Sequence, residues 1–230
     1  SAPHPAWGVP LHGSMTTIID YGIGNLRSLA KAFAAAGVAV ERTADPERIA
    51  EAERLVLPGV GAFGACADAL ASHGLTDLVR QRAEAGVPLL GVCVGMQLLF
   101  EASEERPGAD GRAHDGLGLL PGRIVRFAPG LAADGQRLKV PHMGWNQLRT
   151  VHPHPILEGA DGDWVYFVHS YHAAPSADGD RLATVAYGGD VPAVTGRDNV
   201  VGVQFHPEKS ARAGLAMLRR FADWIPASDG

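Results

Sequence analysis

The segment "PLLGVCVGMQLLF" (residues 88–100) places Cys93 between Gly91 and Gly95, where an apolar run gives way to a helix-like pattern. "PLLGVCV" reads as a buried strand and "MQLLFEAS" (96–103) as the helix it feeds. A side chain on such a turn sits on strained backbone, and glycines two positions before and after it relieve the crowding where strand and helix cross. The turn carries Cys93 to the carboxyl edge of a sheet, where open α/β folds take their ligands. The first N–H groups of the following helix then favour a thiolate, and Val94 N–H becomes a donor to a developing oxyanion. A small apolar cysteine filling a tight crossing gives the same pattern, so this stretch needs a second motif beside it.

Working outward, the first half of the chain alternates strand and helix. "TTIID" (16–20), "VAVE" (38–41) and "RLVLPG" (54–59) read as strands. "GNLRSLAKAFAAAG", "AFGACADALASHG" and "LTDLVRQRAEAG" read as the helical material between them. Strands that are apolar throughout and alternate with helices imply a parallel sheet covered on both faces. After Gly116 come short strand-like runs separated by turn residues: "GRIVRF", "RLKVPHMGWNQLR", "DWVYFVHSYHA", "RLATVAY", "VPAVTGR" and "NVVGVQF". These imply antiparallel or mixed sheet, closed by a helix near 211–224. The expected fold is a three-layer α/β architecture: an open, mainly parallel sheet, helices on both faces, and an added antiparallel β portion. Residues 1–14 are expected to be a leader and residues 15–230 a single domain.

Composition narrows the function classes. The chain has 46% hydrophobic residues, a net charge of −5 and no basic run, which argues against nucleic acid as a partner. Its longest apolar run is too short to cross a bilayer. Two cysteines, Cys66 and Cys93, are too few for a disulfide framework and fit a reducing, cytoplasmic compartment.

The second motif is "VQFHPEKS" (203–210). Pro207 biases His206 toward extended backbone, so His206 and Glu208 project to one side. The Glu208 carboxylate then holds one imidazole nitrogen while the other faces a thiol, which is the logic of a catalytic triad. "LPGVGAFG" (57–64) follows a strand on the same edge, and its glycines let a peptide N–H turn inward as a second oxyanion donor. "DYGIGN" has Arg27 where a dinucleotide fingerprint needs its third glycine, so no nucleotide cofactor is expected. His152, His154, His169 and His172 lack the companion spacings of a metal site, and none is expected.

"PGVGAFG", "GVCVGMQ" and "QFHPEKS", in this order, resemble the class I (triad) glutamine amidotransferases. "IIDYGIGNLRSL", "KVPHMGWN" and "YFVHSY" narrow the resemblance to glutaminase subunits that serve imidazole glycerol phosphate synthesis in histidine biosynthesis. The likeness runs from about residue 16 to residue 221. It implies that Cys93 attacks the amide of glutamine, that His206 passes a proton to the leaving ammonia, and that Glu208 orients His206. It implies an oxyanion hole from the Gly59–Val60 peptide and Val94, and glutamine held by Gly61, Gln97, Glu105, Ser170 and Tyr171. It also implies a heterodimer with a (β/α)8-barrel cyclase subunit that receives the ammonia, faced by "YGIGN", "PHMGWN" and Lys209. Trp145 and Met143 read equally well as interface anchors or as core. The loop "RPGADGRAHDG" (106–116) is longer than the family needs. Other readings are a different triad amidotransferase, a cysteine peptidase of related fold, or an inert regulatory subunit.

Overall fold

The computed structural model describes residues 15–105 and 113–227; the expected leader and residues 106–112 of the long loop lie outside them. The first half runs β1 (Thr16–Ile19), α1 (Leu26–Ala35), β2 (Val40–Thr43), α2 (Pro46–Glu51), β3 (Arg54–Leu57), α3 (Phe63–Ser72), α4 (Thr76–Glu84), β4 (Leu89–Val92) and α5 (Val94–Gln97). The second half supplies β5 (Phe100–Ser103), β6 (His114–Asp115), β7 (Leu120–Arg126), β8 (Ala132–Ala133), β9 (Gln136–Arg137), β10 (His142–Gln147), β11 (Arg149–Thr150), β12 (Trp164–His169), β13 (Tyr171–Pro175), β14 (Arg181–Ala186), β15 (Asp190–Arg197), β16 (Val200–Val203) and α6 (Ala211–Asp223).

The central sheet has the order β11-β14-β15-β16-β4-β3-β1-β2. The five strands from β16 to β2 are parallel, and β15, β14 and β11 extend the sheet in antiparallel fashion. Every residue of β1, β3, β4 and β16 is buried, as parallel strands covered on both faces require. Right-handed crossovers put α1 on one face and α2, α3 and α4 on the other, because the chain reverses direction across the sheet after β2. α6 packs beside α1. The three-layer, mainly parallel α/β architecture read from the sequence is the one observed.

Several local expectations differ from the structure, among them "RLKVPHMGWNQLR", which divides among β9, β10 and β11 in three different sheets. The second strand begins at Val40, two residues late, because Val38 N–H closes the end of α1 on the Phe33 carbonyl at 2.9 Å. "MQLLFEAS" is not a helix: α5 ends at Gln97 and Phe100–Ser103 is β5. Met96, Leu98, Leu99 and Phe100 are all buried, so the run has no solvent face to sustain a longer surface helix. Pairing of β5 with β7 and β6 captures the backbone instead. "DWVYFVHSYHA" is two strands rather than one: β12 pairs with β10, the chain breaks at Ser170, and β13 pairs with β7 in a different sheet.

The short α5 lies directly across the end of β3. A Cβ on Gly95 would stand 1.9 Å from the Leu57 carbonyl oxygen, and one on Gly91 would stand 2.6 Å from the Gly95 carbonyl oxygen. Backbone rather than a flexible side chain fills both spaces. Gly95→Ala is expected to lower stability by about 3 kcal/mol or more, read as the shift in denaturant midpoint. An unchanged midpoint would contradict the close crossing.

Candidate active site

The site is built on the carboxyl edge of two neighbouring parallel strands. In β4 and β16, Val92 and Val203 are register partners, and Cys93 N–H donates to the Val203 carbonyl at 2.8 Å. One residue beyond β4 is Cys93; three residues beyond β16 is His206. Cys93 has φ 56 and ψ −114, left-handed geometry that an L-residue rarely adopts, as a strand-to-helix elbow demands.

His206 is held from both ends. Its N–H donates to the Tyr166 carbonyl at 3.0 Å, and its own carbonyl accepts from the Ser210 hydroxyl at 2.7 Å. Ser210 Oγ in turn accepts from Tyr166 N–H, which locks the segment to β12. His206 Nδ1 and Glu208 Oε1 are 2.9 Å apart, with both side chains buried. Nε2 is buried and has no hydrogen-bond partner of regular geometry. Burial by itself would push the His206 imidazole down. The nearby Cys93 sulfur and the Glu208 carboxylate, through hydrogen bonding and charge, outweigh burial and hold it up at about 9. At neutral pH the imidazole therefore keeps its proton.

Cys93 and His206 line one cleft of about 400 Å³ together with Val60, Gly61, Val94, Gln97, Glu105, Ser170 and Tyr171. Of the catalytic, oxyanion and glutamine-binding residues expected from the sequence, only Gly59 and Glu208 stand outside the lining. Glu208 sits behind His206. Gly59 directs its carbonyl at Val94, accepting from Val94 N–H at 3.2 Å. The oxyanion donor expected at Val94 is thus engaged by the very loop expected to supply its companion. The helix expected to aim its N–H groups at sulfur is a single turn, so its dipole adds little there.

Polar anchors set the walls. Glu105 accepts from Phe63 N–H at 2.8 Å, and Gln97 Nε2 donates to the Tyr171 carbonyl and to Gln204 Oε1. The lining also takes in Pro141, Val168, His169 and Lys209. The first three lie within "KVPHMGWN" and "YFVHSY", stretches read from the sequence only as marks of the resemblance and not as walls of the cleft.

His169 belongs to a hydrogen-bonded chain. Its Nδ1 donates to the Tyr171 carbonyl at 2.9 Å, so its Nε2 accepts from His142 Nδ1 at 2.9 Å. His142 Nε2 then accepts from Asn146 Nδ2 at 3.3 Å. Burial pushes His142 down to about 4. Burial, aided by the neighbouring histidines, pushes His169 down to about 3. Both rings are neutral with both nitrogens committed, which makes them architecture. Among the described residues no group of three His, Cys, Asp or Glu side chains is placed to hold a metal ion.

Residues 17–224 match the family model of glutamine amidotransferase class-I. A curated relative from Salinibacter ruber, the imidazole glycerol phosphate synthase subunit HisH, is 54% identical over 209 residues, covering 90% of this chain and 94% of its own. The subunit of the same name from Syntrophotalea carbinolica is 48% identical, covering 91% of this chain and 100% of its own. A solved structure of a glutamine amidotransferase has a TM-score of 0.69 at 21% identity, covering 91% of this chain and 99% of its own, a likeness of fold. A thiol on a strained elbow, a protonated imidazole backed by a carboxylate, and these relatives lead to one assignment: the chain belongs to the class-I glutamine amidotransferases and, among them, to the imidazole glycerol phosphate synthase subunit HisH family.

Proposed function

We propose that this chain is the glutaminase subunit of imidazole glycerol phosphate synthase, acting in histidine biosynthesis in the cytoplasm. The observation that carries the reading is the convergence of Cys93 with the His206–Glu208 pair in one cleft. Among the described residues no helix is long and apolar enough to cross a membrane.

In this reading Cys93 sulfur attacks the side-chain amide carbon of glutamine. The carbon–nitrogen bond breaks, and the proton on His206 leaves with ammonia. A glutamyl thioester remains, and water attacks it while His206 takes back a proton; glutamate departs. Glu208 keeps His206 in one tautomer and steadies its positive charge. Glu105 is suited to the α-amino group of glutamine, and N–H and hydroxyl donors near Gly61, Ser170 and Tyr171 to its α-carboxylate. No cofactor is required.

Ammonia set free in water is protonated and lost as a nucleophile, so the subunit needs a receiver. That partner is a cyclase of (β/α)8-barrel fold, forming a heterodimer. Support comes from the face of the β10–β12 ribbon beside the cleft. Met143 is 62% exposed, Trp145 50% and Trp164 56%, which rules out the core alternative for the first two. Trp145 packs edge-on against Tyr166, and Lys209 Nζ lies 5.8 Å over the Tyr166 ring. An aromatic patch of this kind, next to the cleft that releases ammonia, suits a docking surface.

The engaged Val94 N–H suggests how the partner controls the chemistry. With the Gly59 carbonyl on Val94, both expected oxyanion donors are missing. Turning the Gly59–Val60 peptide over frees Val94 N–H and brings in Val60 N–H.

Glutamate release should rise about 10²- to 10³-fold when the cyclase and its nucleotide substrate are added, the scale of one oxyanion donor. Equal rates would remove the gating. The stimulated turnover should fall as pH rises through about 9, where His206 gives up its proton. In Glu208→Gln that fall should come at lower pH, because one of the groups holding the proton is gone; a pH–rate profile with the same alkaline limb in both would contradict Glu208's role. Trp145→Ala should weaken cyclase binding by about 2 kcal/mol in a titration of the purified subunits. Unchanged affinity would place the docking surface elsewhere.

A further inference from the structure

Two buried donors stand on either side of the Gly59–Val60 peptide, and the chemistry above uses neither. Tyr21, just after β1, is 1% exposed, and its hydroxyl donates to the Pro58 carbonyl at 2.5 Å. Cys66, on α3, is fully buried, and its thiol donates to the Val60 carbonyl at 3.3 Å. Those carbonyls belong to the peptides immediately before and after Gly59–Val60. Burial, strengthened by Cys66 nearby, pushes the Tyr21 hydroxyl up. Burial also pushes the Cys66 thiol up, against the opposing effect of the nearby Tyr21 hydroxyl. Both groups therefore keep the protons they donate. The two side chains come from different elements, and each reaches the loop from the core side.

A single peptide turns over by rotating ψ of the residue before it and φ of the residue after it in opposite senses. The flanking peptides stay in place only if something holds them. Gly59 cannot move sideways to help, since a Cβ there would already stand 2.6 Å from Gly95 N. Val60 is not among the residues with positive φ, so turning the peptide drives it toward the region that β-branched side chains avoid. Without anchors that strain spreads along the loop; with anchors it stays in one peptide, and the loop has two defined states.

We propose that Tyr21 and Cys66 are positioning residues that pin the Pro58 and Val60 carbonyls, so that the switch between a closed and an open oxyanion hole is confined to the Gly59–Val60 peptide. This rests on the glutaminase reading. It gives a role to Tyr21 of "YGIGN", which lies in the core rather than on the outer surface. It also gives a role to the second cysteine, as a donor rather than a nucleophile.

The test measures glutamate release by the full chain, with and without the cyclase and its nucleotide substrate, for wild type, Tyr21→Phe, Cys66→Ala and Cys66→Ser. Tyr21→Phe and Cys66→Ala should each lower the ratio of stimulated to unstimulated kcat by about five-fold, the scale of one net hydrogen bond. The loss should come from a faster unstimulated rate together with a slower stimulated one, with KM for glutamine unchanged. Cys66→Ser, which keeps a donor, should recover most of the ratio. An unchanged ratio, or two rates that fall in proportion as general destabilisation would produce, overturns the pins while leaving the glutaminase reading intact. If wild type with cyclase releases no glutamate, the reading and the pins fall together.

Discussion

The hydrogen bond from Cys93 N–H to the Val203 carbonyl is the contact on which the site depends. It continues the β4–β16 ladder one step past the last register pair, and so fixes where two distant parts of the chain end. Were β16 to slip by one residue, its side chains would exchange faces and His206 would point away from sulfur. Strands buried on both faces resist such slips, because every residue of both has a packed position to lose. Cys93 and His206 are thus placed by two fully buried strands, while the Gly59–Val60 peptide, the proposed switch, sits in a loop just beyond the sheet.

A second constraint is the closeness of α5 to β3. The same crossing that leaves no room for side chains at Gly91 and Gly95 brings Val94 N–H within 3.2 Å of the Gly59 carbonyl. In the proposed mechanism, a Val94 N–H satisfied internally cannot serve an oxyanion without first losing that bond, and the energy for the exchange would come from binding elsewhere. The β10–β12 ribbon is suitably placed for that. Its outer face carries the exposed aromatic groups, and its inner edge is tied through His142 and His169 to the Tyr171 carbonyl, on which Gln97 of the cleft also rests.

Much of this was legible in the chain. Uninterrupted apolar strands announced the parallel sheet, and the spacing of glycines around Cys93 announced the elbow, because both are dictated by local sterics. His206 and Glu208 were legible because Pro207 restricts the backbone between them. The break at Ser170 was not, since "WVYFVHSYHA" alternates well enough for one strand and only pairing with two different sheets divides it. The fate of "MQLLFEAS" was set in the same way, by β7 rather than by its own pattern. The orientation of the Gly59–Val60 peptide was equally invisible, because "PGVG" permits both and only contact with Val94 chooses. The His142–His169 chain joins residues from two strands, and no spacing along the sequence signals it.

The most direct measurement of the central claim is mass spectrometry of the chain, acid-quenched during turnover of glutamine in the presence of the cyclase. A glutamyl group is expected on the peptide that carries Cys93, absent from the Cys93→Ala chain. Glutamate formed with no such adduct at Cys93, or an adduct at another residue, would contradict it.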